Sequence, residues 1–306
     1  VFNGAAFLPE LLASLDAQTH TDWRLFVRDD GSSDRTMDIV RDVSARDRRV
    51  HVVAADGKRL GATRSFARLL ECVPADSAHV MFADQDDVWL PHKIERTLSA
   101  MRSAEAAAPG PVLVHTDLSV VDEQLHVVHP SFWEFAGVVA EPVTLRRLVV
   151  RNVATGAATM INRALRELVV PLPAEAILHD WWCACTAVAL GRMIAVREPT
   201  VLYRQHGSNA VGAHAWSISL SQLPRAIFGG LANASELREG IELTAAQARA
   251  FLDRYGSRLT EGDRRFLAAY SAIPRRGFLR RKVDLLRFRT LPEYGVLRTL
   301  GLLFRG

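Results

Sequence analysis

Residues 79–89 read His79-Val80-Met81-Phe82-Ala83-Asp84-Gln85-Asp86-Asp87-Val88-Trp89, an apolar run that ends in three carboxylates within four residues. A strand that stops in an acidic cluster sets hard oxygen ligands at the lip of a sheet, where a divalent cation and a phosphorylated ligand can meet. Like charges this close repel, so the cluster costs free energy unless a cation neutralises it. The alternative is a solvated acidic turn, with Asp86 or Asp87 capping a helix ahead of Pro91.

The flanking sequence decides which strand this is. Phe7–Ala17 has the apolar spacing of a helix, Trp23–Arg28 that of a short strand, and Asp34–Ser44 is helical again. Val50–Ala54 predicts a strand, Ala62–Cys72 a helix, His79–Ala83 a strand, Pro91–Ala108 a helix and Val112–Thr116 a strand. This alternation predicts an α/β fold with a mostly parallel central sheet and helices on both faces. Ligands bind at the carboxyl ends of such strands, and both acidic clusters, Asp29-Asp30 and Asp84–Asp87, fall there. The pattern opens at Val1-Phe2-Asn3-Gly4, as if at the end of a strand, so a short first strand is expected before Val1. From Leu118 to Val211 the elements are shorter: Leu145–Val150, Ala158–Ile161 and Met193–Val196 surround a helix near Asp180–Leu190, and Thr200–Tyr203 is strand-like. Beyond Ala215 the chain turns helical and amphipathic, notably at Leu243–Tyr255 and Gly262–Tyr270.

With 306 residues, 49% hydrophobic and 24% charged, the chain is a globular one of about one large domain with an appendage. Cys72, Cys183 and Cys185 lack both disulfide and zinc spacing, which points to buried thiols and a cytoplasmic, reducing compartment. No apolar run reaches the length of a membrane span, and no signal peptide is expected. Between residues 271 and 306 nine Lys and Arg stand against Asp284 and Glu293, a net of +7 that leaves −3 of the chain's +4 for the rest. That basic segment could favour nucleic acid or an anionic membrane surface.

Asp29-Asp30-Gly31-Ser32-Ser33-Asp34 closes one strand and opens a helix. Gly31 permits a tight turn and Ser33 or Asp34 can cap; a carboxylate here could also accept from a base imide or a ribose hydroxyl. Taken together, Asn3-Gly4, Phe7-Leu8, Ser14-Leu15, Gln18-Thr19, Val27–Asp34 and Asp84-Gln85-Asp86-Asp87 resemble glycosyltransferase family 2 over residues 1–212. Within it, Ala83–Lys93 and Tyr203-Arg204-Gln205-His206-Gly207-Ser208-Asn209 look like rhamnosyltransferase-type members, which build bacterial surface polysaccharides. The resemblance implies a GT-A fold over 1–212, with a nucleotide-binding half (1–115) and an acceptor half (116–212), followed by a helical, basic region over 213–306.

The resemblance also implies roles. Asp29 and Asp30 would bind the nucleoside base and ribose, Arg64 would contact the nucleotide, and Asp84 would face the ribose. Asp86 would ligate Mn²⁺ or Mg²⁺ bridging the diphosphate, with Asp87 a second ligand or a helix cap, and His206 would complete the metal site or bind phosphate. Asp180 would be the base that deprotonates the acceptor hydroxyl as inversion requires; some family members have two acids here, where this chain has His179 first. Gly156 would let backbone approach the donor sugar and acceptor, Trp181 and Trp182 could stack on sugars, and Arg204 and Asn209 could reach the diphosphate. The expected partners are a dTDP- or UDP-sugar donor and a glycan or lipid-linked acceptor. Arg275, Arg276, Arg280, Arg281, Lys282, Arg287, Arg289 and Arg298 interleave with apolar residues, a basic amphipathic pattern suited to the cytoplasmic face of a membrane. Competing readings are a metal-dependent nucleotidyltransferase, for which Asn3–Phe7 lacks a glycine-rich basic loop, and a non-catalytic sugar-binding protein of the same fold.

Overall fold

Leu8, Leu11 and Leu15 share one helical face behind Pro9 and fold as α1 (Leu8–Asp16), all three buried. In the computed structural model, which describes residues 1–54, 58–207 and 234–275, the chain continues through β1 (Leu25–Val27), α2 (Thr36–Arg46), β2 (Val50–Val52), α3 (Ala62–Cys72), β3 (His79–Met81), β4 (Val88–Trp89) and α4 (Lys93–Ala107). The second half comprises β5 (Val112–Val121), β6 (Val127–His129), α5 (Phe132–Phe135), α6 (Leu145–Val150), β7 (Thr159–Asn162), α7 (Arg163–Val169), α8 (His179–Leu190) and β8 (Arg192–Arg204), then α9 (Ala234–Tyr255) and α10 (Glu261–Ser271).

The α/β class expected from the sequence holds, but the pairing is more mixed than the rhythm suggested. β1 and β2 form a parallel pair, and the larger sheet runs β3-β7-β5-β8-β4 with β6 beside β5. Within it β5–β8 is parallel, while β3–β7, β5–β7, β4–β8 and β5–β6 are antiparallel. Parallel pairs need long crossovers: α2 lies between β1 and β2, and α8 lies on the path from β5 to β8. The short turn at 122–126 permits only an antiparallel return for β6. Met193–Val196 and Thr200–Tyr203, expected as separate elements, are parts of one strand, β8, whose register against β5 shifts at Thr116/Asp117 and Asp117/Ser119 near Pro199. The backbone of Val1 donates to Arg28 and accepts from Asp30, beside the end of β1.

The largest core joins α3, α6, α7 and α8 to α9 and α10. Trp182 is fully buried there, its ring 5.2 Å from that of Phe251 and 6.0 Å from that of Tyr255. The described helices beyond residue 212 therefore share a core with 145–190. Cys183 and Cys185 are buried free thiols, and Cys72 is half-buried. The basic residues Arg276–Arg298 and Asn209 lie outside the described residues; among the described residues no helix is long and apolar enough to cross a membrane. Trp182→Ala is expected to cost about 3–5 kcal/mol, read by chemical denaturation; an unchanged midpoint would contradict this packing.

Candidate active site

The acidic loop between β3 and β4 is held in place from several sides. Ser14 Oγ accepts from Trp89 N (3.0 Å), and the Gln18 amide donates to Leu90 O (2.9 Å) and accepts from Ile94 N (3.1 Å). The Ser-Leu and Gln-Thr pairs thus bind α1 to the chain that follows the acid cluster. Gln85 exchanges two hydrogen bonds with the backbone of Phe2 (2.7 and 2.8 Å). A Cβ at Gly4 would stand 2.5 Å from the Gln85 amide, so any larger residue there would displace the side chain that makes these two bonds.

Asp84, Asp86, Asp180 and His206 line one cavity of about 1050 Å³, together with Phe2, Asp30, Arg59, Gly156 and Tyr203. His206 Nε2 lies 2.9 Å from Asp86 Oδ2, and its ring rests 4.6 Å from that of Phe7. Burial pushes the Asp84 carboxyl up to about 7, reinforced by repulsion from Asp86 and Asp180. Burial likewise raises Asp180 to about 6, opposed by hydrogen bonds from the backbone N–H groups of Trp181 (2.6 Å) and Gly156. Asp180 sits in the first turn of α8, where the helix dipole favours its anion. Gly156 opens a short 3₁₀ turn against this pair: a Cβ there would stand 3.0 Å from His179 Nε2 and 3.4 Å from Asp180 Oδ2.

At the other side of the cavity Asp30 is almost fully engaged. It pairs with the buried Arg28 (2.7 Å) and accepts from Ser65 Oγ (3.1 Å) and from the backbone N–H of Leu60 (2.6 Å) and Gly61 (2.8 Å). Gly61 has φ +77°, a conformation that glycine takes without strain. Burial pushes the Asp30 carboxyl up, but the Leu60, Arg28, Gly61 and Ser65 donors outweigh it and hold it below the ordinary range. Asp30 thus anchors the loop 58–61 at the cavity rim. Removing one partner of a buried pair costs about 3–5 kcal/mol, so Asp30→Ala is expected to lose that much at pH 7. A depressed carboxylate pKa contributes stability above its unfolded value of about 4, lost as pH falls through the folded value. A pH-denaturation series on wild type and variant should therefore show the gap narrow as pH falls through the folded value; a constant gap would contradict it.

Several residues expected at the site are placed elsewhere. Asp29 accepts from Ser32 N (3.1 Å) and Ser32 Oγ (2.6 Å), closing the turn at Gly31 (φ +90°) rather than lining the cavity. Neither Ser33 nor Asp34 caps α2; Asp34 instead accepts from Thr36 N (3.0 Å) and Ala5 N (3.0 Å), tying the Asn3-Gly4 turn to the start of that helix. Arg64 donates to Pro173 O (3.1 Å) and Ala174 O (2.6 Å), bracing the loop that leads to Asp180 and not the cavity wall. Asp87 is buried behind the loop, where it accepts from Arg204 N (3.1 Å); it neither reaches the cavity nor caps α4, whose N-cap is His92. The Arg204 guanidinium is enclosed, bonded to Asp86 O (2.8 Å), Glu123 O and Glu10, so it supports the acidic loop from behind. Trp181 donates its indole N–H to Leu148 O, and Trp182 belongs to the core; neither lines the cavity.

The structure adds two residues that sequence reasoning passed over. The Arg59 guanidinium lies 3.8 Å over the Phe2 ring at the cavity wall, and Tyr203 closes the same cavity from β8. Arg59 carries no local sequence signal; Tyr203 opens the run Tyr203–Asn209 noted above, but only the path of β8 brings its ring to the cavity. Among the described residues no three His, Cys, Asp or Glu groups could hold a cation by themselves. Asp86 and His206 offer two donors side by side. A cation bound with a nucleotide takes one or two carboxylates and completes its shell with phosphate oxygens and water, so this donor set fits Mn²⁺ or Mg²⁺.

Residues 1–167 match the sequence profile of glycosyl transferase family 2. The dTDP-rhamnosyl transferase RfbG of Shigella flexneri is 26% identical over 228 residues, covering 70% of this chain and 73% of RfbG. In structure the chain is similar to S. aureus TarS 1–349 in complex with UDP, at TM-score 0.54 and 16% identity over 94% of this chain and 89% of that one. The mannosyltransferase PcManGT of Pyrobaculum calidifontis, in complex with GDP-Man and Mn²⁺, gives TM-score 0.51 and 18% identity over 98% and 85%. Against a longer S. aureus TarS structure, also similar in fold (TM-score 0.56, 15% identity, 99% of this chain covered), the chain spans 49% of that protein's length.

Proposed function

This chain belongs to glycosyl transferase family 2, with a GT-A fold, and we propose that it is an inverting, metal-assisted transferase acting in bacterial surface polysaccharide synthesis. It would move a sugar, rhamnose by likeness to RfbG, from a nucleoside diphosphate to a glycan or lipid-linked acceptor. The carrying observation is the convergence of Asp84, Asp86, Asp180 and His206 on one cavity from the β3–β4 loop, the first turn of α8 and the segment just beyond β8.

Each residue has a task that its surroundings suit. Asp86 and His206 would hold the cation. A bound cation offsets the negative charge of the departing diphosphate. Asp30 fixes the loop 58–61 at the rim, and the Asp84 carboxyl faces the ribose. Asp180 receives the proton of the acceptor hydroxyl while that oxygen bonds to the anomeric carbon. The bond from that carbon to the diphosphate oxygen breaks, its electron pair leaves with the nucleotide, and the configuration inverts. A base near neutrality serves this step best, and a carboxyl at about 6 meets that condition.

A thermal-shift panel of dTDP-, UDP- and GDP-sugars with Mn²⁺ or Mg²⁺ tests the reading. Saturation at a hundred times Kd stabilises by about 2.7 kcal/mol. One nucleotide and sugar should raise the melting temperature well above the others. No shift with any nucleotide sugar would overturn the proposal.

A further inference from the structure

His179 precedes the base and takes no part in the mechanism above. Its imidazole lies flat on Phe66 (centroids 4.1 Å apart, planes at 27°) and meets Phe82 edge-on (4.5 Å, 68°), so the ring is clamped. The residue is 6% exposed and lines the cavity, yet neither ring nitrogen has a hydrogen-bond partner among the described residues. Such an orphaned buried polar group is destabilising, because it gives up hydrogen bonds to water without replacing them. A phenylalanine would fill the same aromatic slot without that cost, so packing alone does not account for histidine. Burial lowers the imidazole pKa to about 3, which leaves the ring neutral, with one N–H donor and one bare acceptor nitrogen.

The position of the ring narrows what can fill these sites. His179 Nε2 and Asp180 Oδ2 lie 3.0 and 3.4 Å from one point, the place of a Cβ on Gly156. The imidazole Nε2, itself closed to water, and the base's Oδ2 thus border the same Gly156 turn in the cavity wall. Phosphate oxygens only accept, and their charge would draw the ring toward imidazolium, which burial opposes. A sugar hydroxyl serves either neutral tautomer. We propose that His179 is a specificity-determining contact that hydrogen-bonds a sugar hydroxyl beside Asp180, the hydroxyl of the donor sugar in the first instance. This rests on the donor-site reading given above.

The test is calorimetric titration of wild type, His179→Phe and His179→Gln with the nucleotide sugar that the thermal panel selects, and with its parent nucleoside diphosphate, both with Mn²⁺. His179→Phe should bind the diphosphate within about twofold of wild type and the nucleotide sugar about tenfold more weakly, the loss of roughly one satisfied hydrogen bond. His179→Gln keeps a donor and an acceptor and should recover part of the difference. Without ligand, His179→Phe should melt at or above the wild-type temperature, because it removes orphaned nitrogens. If donor binding is unchanged but the acceptor KM rises about tenfold, the hydroxyl belongs to the acceptor and the contact stands. Equal losses for diphosphate and nucleotide sugar, or a Phe variant that matches wild type in donor binding and acceptor KM, would overturn the inference. If wild type binds no nucleotide sugar, the donor-site reading fails, and this inference with it.

Discussion

Asp180→Asn is expected to lower the transfer rate by about 10³-fold while donor affinity stays within about twofold of wild type. A positioned general base contributes about 10²–10⁴-fold, and Asn keeps the shape of the carboxyl while losing its basicity. The loss should appear in kcat, because the proton moves only in the transition state. The wild-type pH profile carries the same information. The base works only when deprotonated, and burial raises the Asp180 carboxyl to about 6. The rate should therefore rise tenfold per pH unit below about 6 and level off above it. In Asp180→Asn that rise should vanish. Stopped assays of nucleoside diphosphate release across pH 5–8 measure both; near-wild-type turnover in the variant would remove Asp180 from the chemistry.

Asp86→Asn should act on the opposite side of the reaction, in binding. Asp86 is the carboxylate that meets His206 at 2.9 Å in the cavity, and Asn is a much weaker ligand for a hard cation. Loss of even the outer hydrogen bonds of a metal site costs about 10–100-fold in affinity, so loss of the ligand itself should cost at least about 100-fold. Nucleoside diphosphate titrated with Mn²⁺ should show that fall. The same titration with chelator should show wild type and variant alike. Asp87→Asn is the internal control: its carboxylate is buried behind the loop and accepts from Arg204 N, so the variant should perturb stability more than cation dependence. Unchanged Mn²⁺-dependent binding in Asp86→Asn would refute the metal assignment.

The sequence was most informative where function depends on local geometry. Asp84 and Asp86 lie in the loop that leaves β3, and Asp180 lies in the first turn of a helix, so their arrival at a strand-end cavity follows from element order. The neighbours that misled are those whose surroundings come from far along the chain. Trp182 was open to a sugar-stacking role until Phe251 and Tyr255 of α9 covered it. Arg204 had the charge for a diphosphate, but Glu10 of α1 and the carbonyls of Asp86 and Glu123 enclose it. Arg64 was drawn to the carbonyls of Pro173 and Ala174, a loop with no marked pattern of its own. The capped turn and the nucleotide ligand, two readings of Asp29-Asp30, divide between the two residues. Asp29 closes the turn, and Asp30 faces the cavity with its carboxylate already engaged.

In the sheet, alternation revealed the α/β class because βα units write their period locally. It did not reveal partner or direction. β7 pairs antiparallel with both β3 and β5, and the joining of two apparent strands into β8 depends on a register shift opposite Asp117. Both are decided by packing against β5, which is buried along almost all its length.

We assign to this acidic cavity an inverting transfer from a nucleotide sugar. Proton NMR of the first-formed product, before mutarotation, distinguishes inversion from retention. The donor selected by the thermal panel is mixed with Mn²⁺, wild-type protein and an oligosaccharide or water as acceptor. The expected product has the anomeric configuration opposite to the donor's, forms only with the cation, and is absent with Asp180→Asn. A product of retained configuration, or one formed equally well by Asp180→Asn, would contradict the account.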